Sequence, residues 1–205
     1  MNRHHFLLAG LSAAALGLLA GCSKSDAPQP ATTSSGGAGS AGDKPRRTAS
    51  LEIVAAEAKG FTVGSMMSAI TAYVFFDPQC PHCGHLWNAS LPLQKKVRFV
   101  WIPVGLINPA SSAQGATLLS AADPAQAMTE HETSLLAKQG GIGTSANVTD
   151  EAKKSVAANI ELFNNLGLEG VPFTIVKNVR TGQPVTRGGS METAALADLI
   201  GVDLP

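Results

Sequence analysis

Residues 72–83 read AYVFFDPQCPHC, an apolar run that stops at Asp77-Pro78 and then delivers two cysteines three positions apart. A short continuous apolar stretch closed by a turn signal marks a strand buried on both faces. The segment after it, GHLWNASLPLQKKV at 84–97, begins as a helix. With Cys80 as the N-cap, Pro81 falls at the first helical position, where a missing amide proton costs nothing, and Cys83 falls at the third. The Cys80 sulfur then faces the free amides of His82 and Cys83 at the positive end of the helix dipole, where a thiolate is stabilised. Cys83, one turn inward, is shielded.

Such a pair closes a disulfide within one helical turn. Cys80 attacks a foreign disulfide or is itself attacked, and Cys83 resolves the mixed disulfide. Stabilising the Cys80 thiolate is the same free energy as making the disulfide oxidising, so Pro81 and His82, which lie between the sulfurs, are the tuning residues. Two alternatives use the same residues. A purely structural disulfide at this spacing closes a loop too small to stabilise much. A metal site on Cys80, Cys83, His82 and His85 has suitable ligand types, but the sequence offers one Cys-x-x-Cys and no second pair.

Outward from this motif the chain alternates in type. Arg98–Val104 (RFVWIPV) reads as a second strand, and the stretch 109–167 reads as helical. Within it, Asp123-Pro124 with Gln126 forms an N-cap, a first-position proline and a capping-box partner. Thr149–Leu166 is the clearest helix, with Ala152, Val156, Ile160 and Phe163 on one stripe and Gly167 at its end. Phe173–Lys177 and Pro184–Arg187 read as strands around a Thr181-Gly182 turn, and Ser190–Ile200 as a last helix. Upstream, Leu51–Lys59 has helical spacing and Gly60 ends it. Trp87, Phe99 and Trp101 read as packing residues and His131 as a solvated one. Gly140-Gly141-Ile142-Gly143 lacks the Lys-Ser/Thr of a phosphate loop and reads as a connection between helices.

The N-terminus is of another kind. Residues 1–22, MNRHHFLLAGLSAAALGLLAGC, carry a basic start and an apolar run of about 15 residues, shorter than a bilayer-spanning helix needs. Its end, Leu19-Ala20-Gly21-Cys22, resembles the bacterial lipobox, whose cysteine is lipid-modified. This assigns the odd member of the three cysteines and implies a membrane anchor, with Ser23 pointing to the outer rather than the inner membrane. Residues 23–50 are rich in Ser, Thr, Gly, Ala and Pro, the composition of a flexible tether spanning roughly 30 Å. The 205 residues carry 15 basic and 15 acidic side chains, a balance that argues against electrostatic nucleic-acid binding. At 44% hydrophobic and 15% charged the chain is too apolar for a disordered protein.

From Ala72 to the C-terminus the chain resembles the catalytic domain of the bacterial periplasmic Dsb proteins, most closely the DsbC/DsbG branch of the thioredoxin fold. The likeness rests on YVFFDPQCPHC, the HLW that follows, and WIPVGLINPASSAQGATLLSAADPAQA at 101–127. It implies an α/β, thioredoxin-like fold with a helical insertion between the second and third core strands. It also implies a cis-proline beside the cysteines, here Val171-Pro172, whose backbone would hold an extended client peptide. Implied partners are exported protein thiols and disulfides and a membrane redox partner that resets the pair; no organic cofactor or metal is implied. Two departures shape the expectation. The stretch that corresponds to the branch's dimerisation domain is here leader, tether and one short helix, which favours a monomer. Cys-Pro-His-Cys and a Val before the proline are DsbA-like and push toward an oxidising potential. Val74 also stands where thioredoxin and DsbA carry a buried acid six residues before the first cysteine, so the proton of Cys83 must travel through water or another group. Asp77 reads as a turn residue.

The expected organisation is a lipoprotein signal peptide at 1–21, a lipid-anchored linker at 22–50 and a thioredoxin-like catalytic domain at 51–205. The expected function is cell-envelope thiol:disulfide exchange, as oxidase, isomerase or sulfenic-acid reductase, on the periplasmic side. The alternative is a metal-handling thioredoxin-like protein, for copper or cytochrome assembly, that uses the cysteine pair and neighbouring His.

Overall fold

The computed structural model describes residues 48–205. The signal peptide, most of the tether and the lipid-attachment residue Cys22 lie outside the described residues. Among the described residues, no helix is long and apolar enough to cross a membrane.

The apolar run at 72–76 becomes the central strand of the sheet. This strand, β2 (Thr71–Phe76), pairs in parallel with β3 (Arg98–Pro103) on one side and antiparallel with β4 (Phe173–Lys177) on the other. Outer strands complete the order β1-β3-β2-β4-β5, where β1 (Phe61–Gly64) and β5 (Pro184–Gly188) are antiparallel to their neighbours. Successive residues of β2 point to opposite faces, so both must be covered. Ala72, Val74 and Phe76 pack with Leu86 and Trp87 of α2 (Pro81–Ser90) and Leu196 and Ile200 of α6 (Thr193–Ile200). Phe75 turns the other way, toward Val54 of α1 (Leu51–Glu57) and Leu162, Phe163 and Leu166 at the end of α5 (Asp150–Asn165). Helices therefore cover both faces of the sheet, and α3 (Pro109–Leu119), α4 (Pro124–Leu136) and α5 stand between β3 and β4 as the expected insertion.

Local chemistry explains most boundaries. Ser50 caps α1 through Ile53 N, Asp123 caps α4 through Gln126 N, and Thr149 caps α5 through Ala152 N. Asn108 and Ser111 form a full capping box on α3. On α4 only half the expected box forms, because the Gln126 amide turns outward to Glu130. Pro92 ends α2 by withholding an amide proton, and the chain tightens into a 3₁₀ turn at Leu91–Lys95. Trp87, Phe99 and Trp101 are core residues as expected, the two indoles meeting edge-on at 5.2 Å.

Three differences from the sequence reading have tertiary causes. Strand β1, which the sequence reading did not resolve, is four residues long, too short for a periodic signal, and exists through its pairing with β3. Helix α1 ends at Glu57 rather than Lys59 because the Lys59 backbone is held by the buried Asn159 side chain, at 2.9 Å on its N–H and 2.7 Å on its carbonyl. Helix α6 begins at Thr193 rather than Ser190, since the chain leaving β5 is still tied down, Gly189 N donating to Pro172 O at 2.8 Å.

Candidate active site

Cys80 occupies the N-cap of α2 with extended backbone (φ −99°, ψ 109°), and Pro81 is the first helical residue. The Cys83 amide donates to Cys80 O at 2.9 Å, which closes the first turn. Both cysteines are free thiols. Cys80 is 5% exposed and Cys83 0%, whereas Pro81 and His82 are exposed. The Cys80 thiol points at the carbonyl of Val171, Sγ to O being 3.6 Å, and the Val171-Pro172 peptide is cis. The loop before β4 thus lies directly beside the first sulfur.

The two thiols are pulled in opposite directions. The Cys83 thiol, as hydrogen-bond donor, does most to lower the Cys80 pKa to about 6; the amides of Cys83 and His82 and the charge of His82 add to this against the cost of burial. Burial pushes the Cys83 thiol well above the ordinary range, and its hydrogen bond to Cys80 and the charges of Cys80 and Glu132 push the same way. The amides favour the anion without donating a close capping hydrogen bond to the sulfur. Among these influences the Cys83 thiol comes first and the charge of His82 last.

The turn between β2 and α2 is clamped by the helical insertion. Asp77 is fully buried: Oδ1 accepts from Gln79 N at 2.8 Å, and Oδ2 accepts from the amides of Leu106 and Ile107 at 2.6 and 2.9 Å. It is the turn residue that the sequence suggested, and it also fixes the loop leaving β3. The Gln79 amide donates to Gln114 Oε1 on α3 and to Gly140 O, and Gln114 donates onward to Gly140 O and Ile142 O, both at 2.8 Å.

His131 corrects the sequence reading. It is 0% exposed rather than solvated. Its Nδ1 accepts from Ile142 N at 3.1 Å, which leaves the proton on Nε2 to donate to Pro78 O at 2.6 Å. Burial lowers its pKa and holds this neutral form. Gly141 makes the fit possible: a Cβ there would lie 2.4 Å from the imidazole, and its φ of +83° suits only glycine. The Gly140–Gly143 connection is therefore a latch over His131. In sequence, a histidine flanked by Glu130, Glu132 and Thr133 carries an outward-facing pattern; only the fold of the insertion back onto Pro78 buries it.

The neighbouring Glu132 was missed altogether. It is 1% exposed, and neither carboxyl oxygen has a hydrogen-bond partner among the described residues. It comes from α4 to lie against Gly84, where a Cβ would stand 2.5 Å from its Oε2. Val74, six residues before Cys80, is plain core.

Comparison with known proteins follows the same line. The chain is 30% identical over 131 residues to the thiol:disulfide interchange protein DsbG of Pseudomonas aeruginosa, covering 63% of this chain and 50% of that protein. It is 33% identical over 114 residues to DsbG of Escherichia coli, covering 53% and 44%. Proteus mirabilis ScsC in a compact conformation superposes with a TM-score of 0.60 at 20% identity, covering 77% of this chain and 80% of that one. A periplasmic thioredoxin-like protein from Salmonella enterica superposes at 0.59 with 16% identity, covering 75% and 97%. The chain carries a Dsb-like domain of the thioredoxin fold. It spans about half the length of the DsbG proteins that it matches. No protein-family model matches it. Within the Dsb-like domain, the His82 and His85 rings are 6.4 Å apart, and no group of three His, Cys, Asp or Glu side chains is gathered as a metal site among the described residues.

Proposed function

We propose that this domain is a thiol:disulfide oxidoreductase of the bacterial cell envelope. The observation that carries the reading is the opposed protonation of two thiols one helical turn apart: Cys80 held toward the thiolate, Cys83 held as a buried thiol.

In the reductive direction the Cys80 thiolate attacks one sulfur of a client disulfide, forming a mixed disulfide and releasing a client thiolate. Cys83 then loses its proton and attacks the Cys80 sulfur, which closes the Cys80–Cys83 disulfide and expels the second client thiolate. Oxidation of a client runs these steps backward; isomerisation stops at the mixed disulfide and returns the client to a different pairing. Pro81 and His82 adjust the stability of the Cys80 anion. Val171 and Pro172 present the backbone that holds an extended client beside Cys80. The Cys80–Val171 contact supports this, because the client backbone must approach the same sulfur from the same loop.

The rest of the reading comes from the leader sequence. Residues 1–21 act as a signal peptide, Cys22 receives the lipid, and residues 22–50 tether a monomeric domain on the periplasmic side, preferably of the outer membrane. Its clients are exported proteins with thiols or disulfides, and a membrane redox partner resets the pair.

Trapping tests the proposal. Cys83→Ala, expressed in a bacterial envelope, should accumulate disulfide-linked adducts that a reductant releases and that Cys80→Ser abolishes. Absence of adducts in the Cys83→Ala protein would sink client exchange.

A further inference from the structure

We propose that Glu132, delivered by α4 of the helical insertion, is the group that gives Cys83 its proton when Cys83 leaves and takes it back when Cys83 attacks. This inference rests on the exchange reading above and adds a residue to it.

The chemistry demands such a group. Cys83 is fully buried, so its proton cannot pass straight to bulk water, and the strand position six residues before Cys80 holds Val74. Glu132 meets the need from elsewhere in the chain. Its Oε2 lies against Gly84, the residue next to Cys83, and Gly84 has no Cβ to displace it. A buried carboxyl with neither oxygen hydrogen-bonded is costly. Such groups are retained where they do chemistry.

Every packed neighbour agrees on the electrostatics. Helix α4 packs on α2, α3 and β1; α3 and β1 carry no ionisable side chain. From α2 and the turn before it come Cys80, Cys83 and Asp77, while His82 and His85 are exposed. Burial first, then the charges of Cys80 and Asp77, raise the Glu132 pKa to about 9. The carboxyl is thus held toward its protonated form, the state from which it gives a proton to a departing Cys83.

The steps balance. When an attacking thiolate opens the Cys80–Cys83 disulfide at Cys80, Cys83 departs with the electron pair and accepts the Glu132 proton relayed through one water, leaving a thiol and a carboxylate. In the reverse step the carboxylate removes that proton by the same relay as Cys83 attacks Cys80 and the outgoing thiolate departs. The charge of the carboxylate is least favourable when Cys80 is also an anion and is relieved while Cys80 is bonded to a client.

The test uses the full chain in its oxidised form, reduced by glutathione in rapid mixing across pH 5–9, with rates normalised to glutathione thiolate. In the wild type the normalised rate should fall with rising pH as Glu132 loses its proton. Glu132→Gln should be at least about tenfold slower at pH 7, with a flat profile, and Glu132→Asp should recover the sloping profile. Wild-type rate and profile in Glu132→Gln would overturn the role of Glu132 and leave exchange intact. A wild type that fails to react with glutathione at all would overturn the exchange reading itself.

Discussion

Cys80 and Cys83 are three residues apart, yet one holds its proton loosely and the other tightly, because one side chain sits at the mouth of a helix and the other inside the first turn. The difference has a measurable sign. Alkylation of reduced Cys80 should rise with pH and reach half its maximum near pH 6. Since the Cys83 thiol is the largest influence and the charge of His82 the smallest, Cys83→Ala should move that midpoint upward further than His82→Ala does. A larger shift for His82→Ala would reverse the assignment of causes. Linkage carries the effect into stability. A thiol whose folded pKa is lowered stabilises the reduced protein above the unfolded value, and that contribution is lost as pH falls through about 6. It amounts to about 1 kcal/mol at pH 7.

At the scale of elements, the turn between β2 and α2 is held from outside by α3, α4 and the connection after α4. His131 is the centre of that clamp. Replacing it with Ala removes partners from Pro78 O and Ile142 N and leaves a cavity, which should cost about 2–4 kcal/mol by denaturant unfolding at pH 7. Because burial lowers the His131 pKa, the unfolded chain binds the proton more readily. The wild type should therefore lose stability as pH falls below about 6.5, and His131→Ala should lack that part of the slope. An unchanged slope would mean that His131 does not remain neutral in the fold. These elements also mark the limits of sequence legibility. Strands β2, β3 and β4 and helices α2 and α5 were readable because composition, period and caps agree within each segment. Strand β1 and the boundaries of α1 and α6 were not, since β3, Asn159 and Pro172 decide them from a distance.

Across the whole molecule, the folded body is organised so that one end of β2 carries both cysteines and the insertion closes over their inner side. The anchor is a separate matter of the leader, and we expect it to be separable. Cys22→Ala should move the protein from the membrane fraction to the soluble fraction of the envelope while leaving its glutathione exchange rate unchanged. Continued membrane association would overturn lipid attachment at Cys22. Two comparison structures cover 75% and 77% of the chain, with TM-scores of 0.59 and 0.60 at 16% and 20% identity. A shared arrangement of sheet and helices thus persists where most side chains differ.

By itself the sequence determined the cysteine pair, its place at a strand-to-helix turn, the proline at the start of the helix and the order of the main elements. Each of these features is written in residues close together in the chain, where backbone dihedral preferences and capping act. Only the tertiary structure decided that His131 is buried, that Gly141 covers it and that an unpartnered acid comes from α4 to lie against Gly84. Burial and electrostatic coupling depend on which distant surfaces meet. A polar stretch such as Thr129–Thr133 reads the same whether it faces water or the inner side of a reactive thiol.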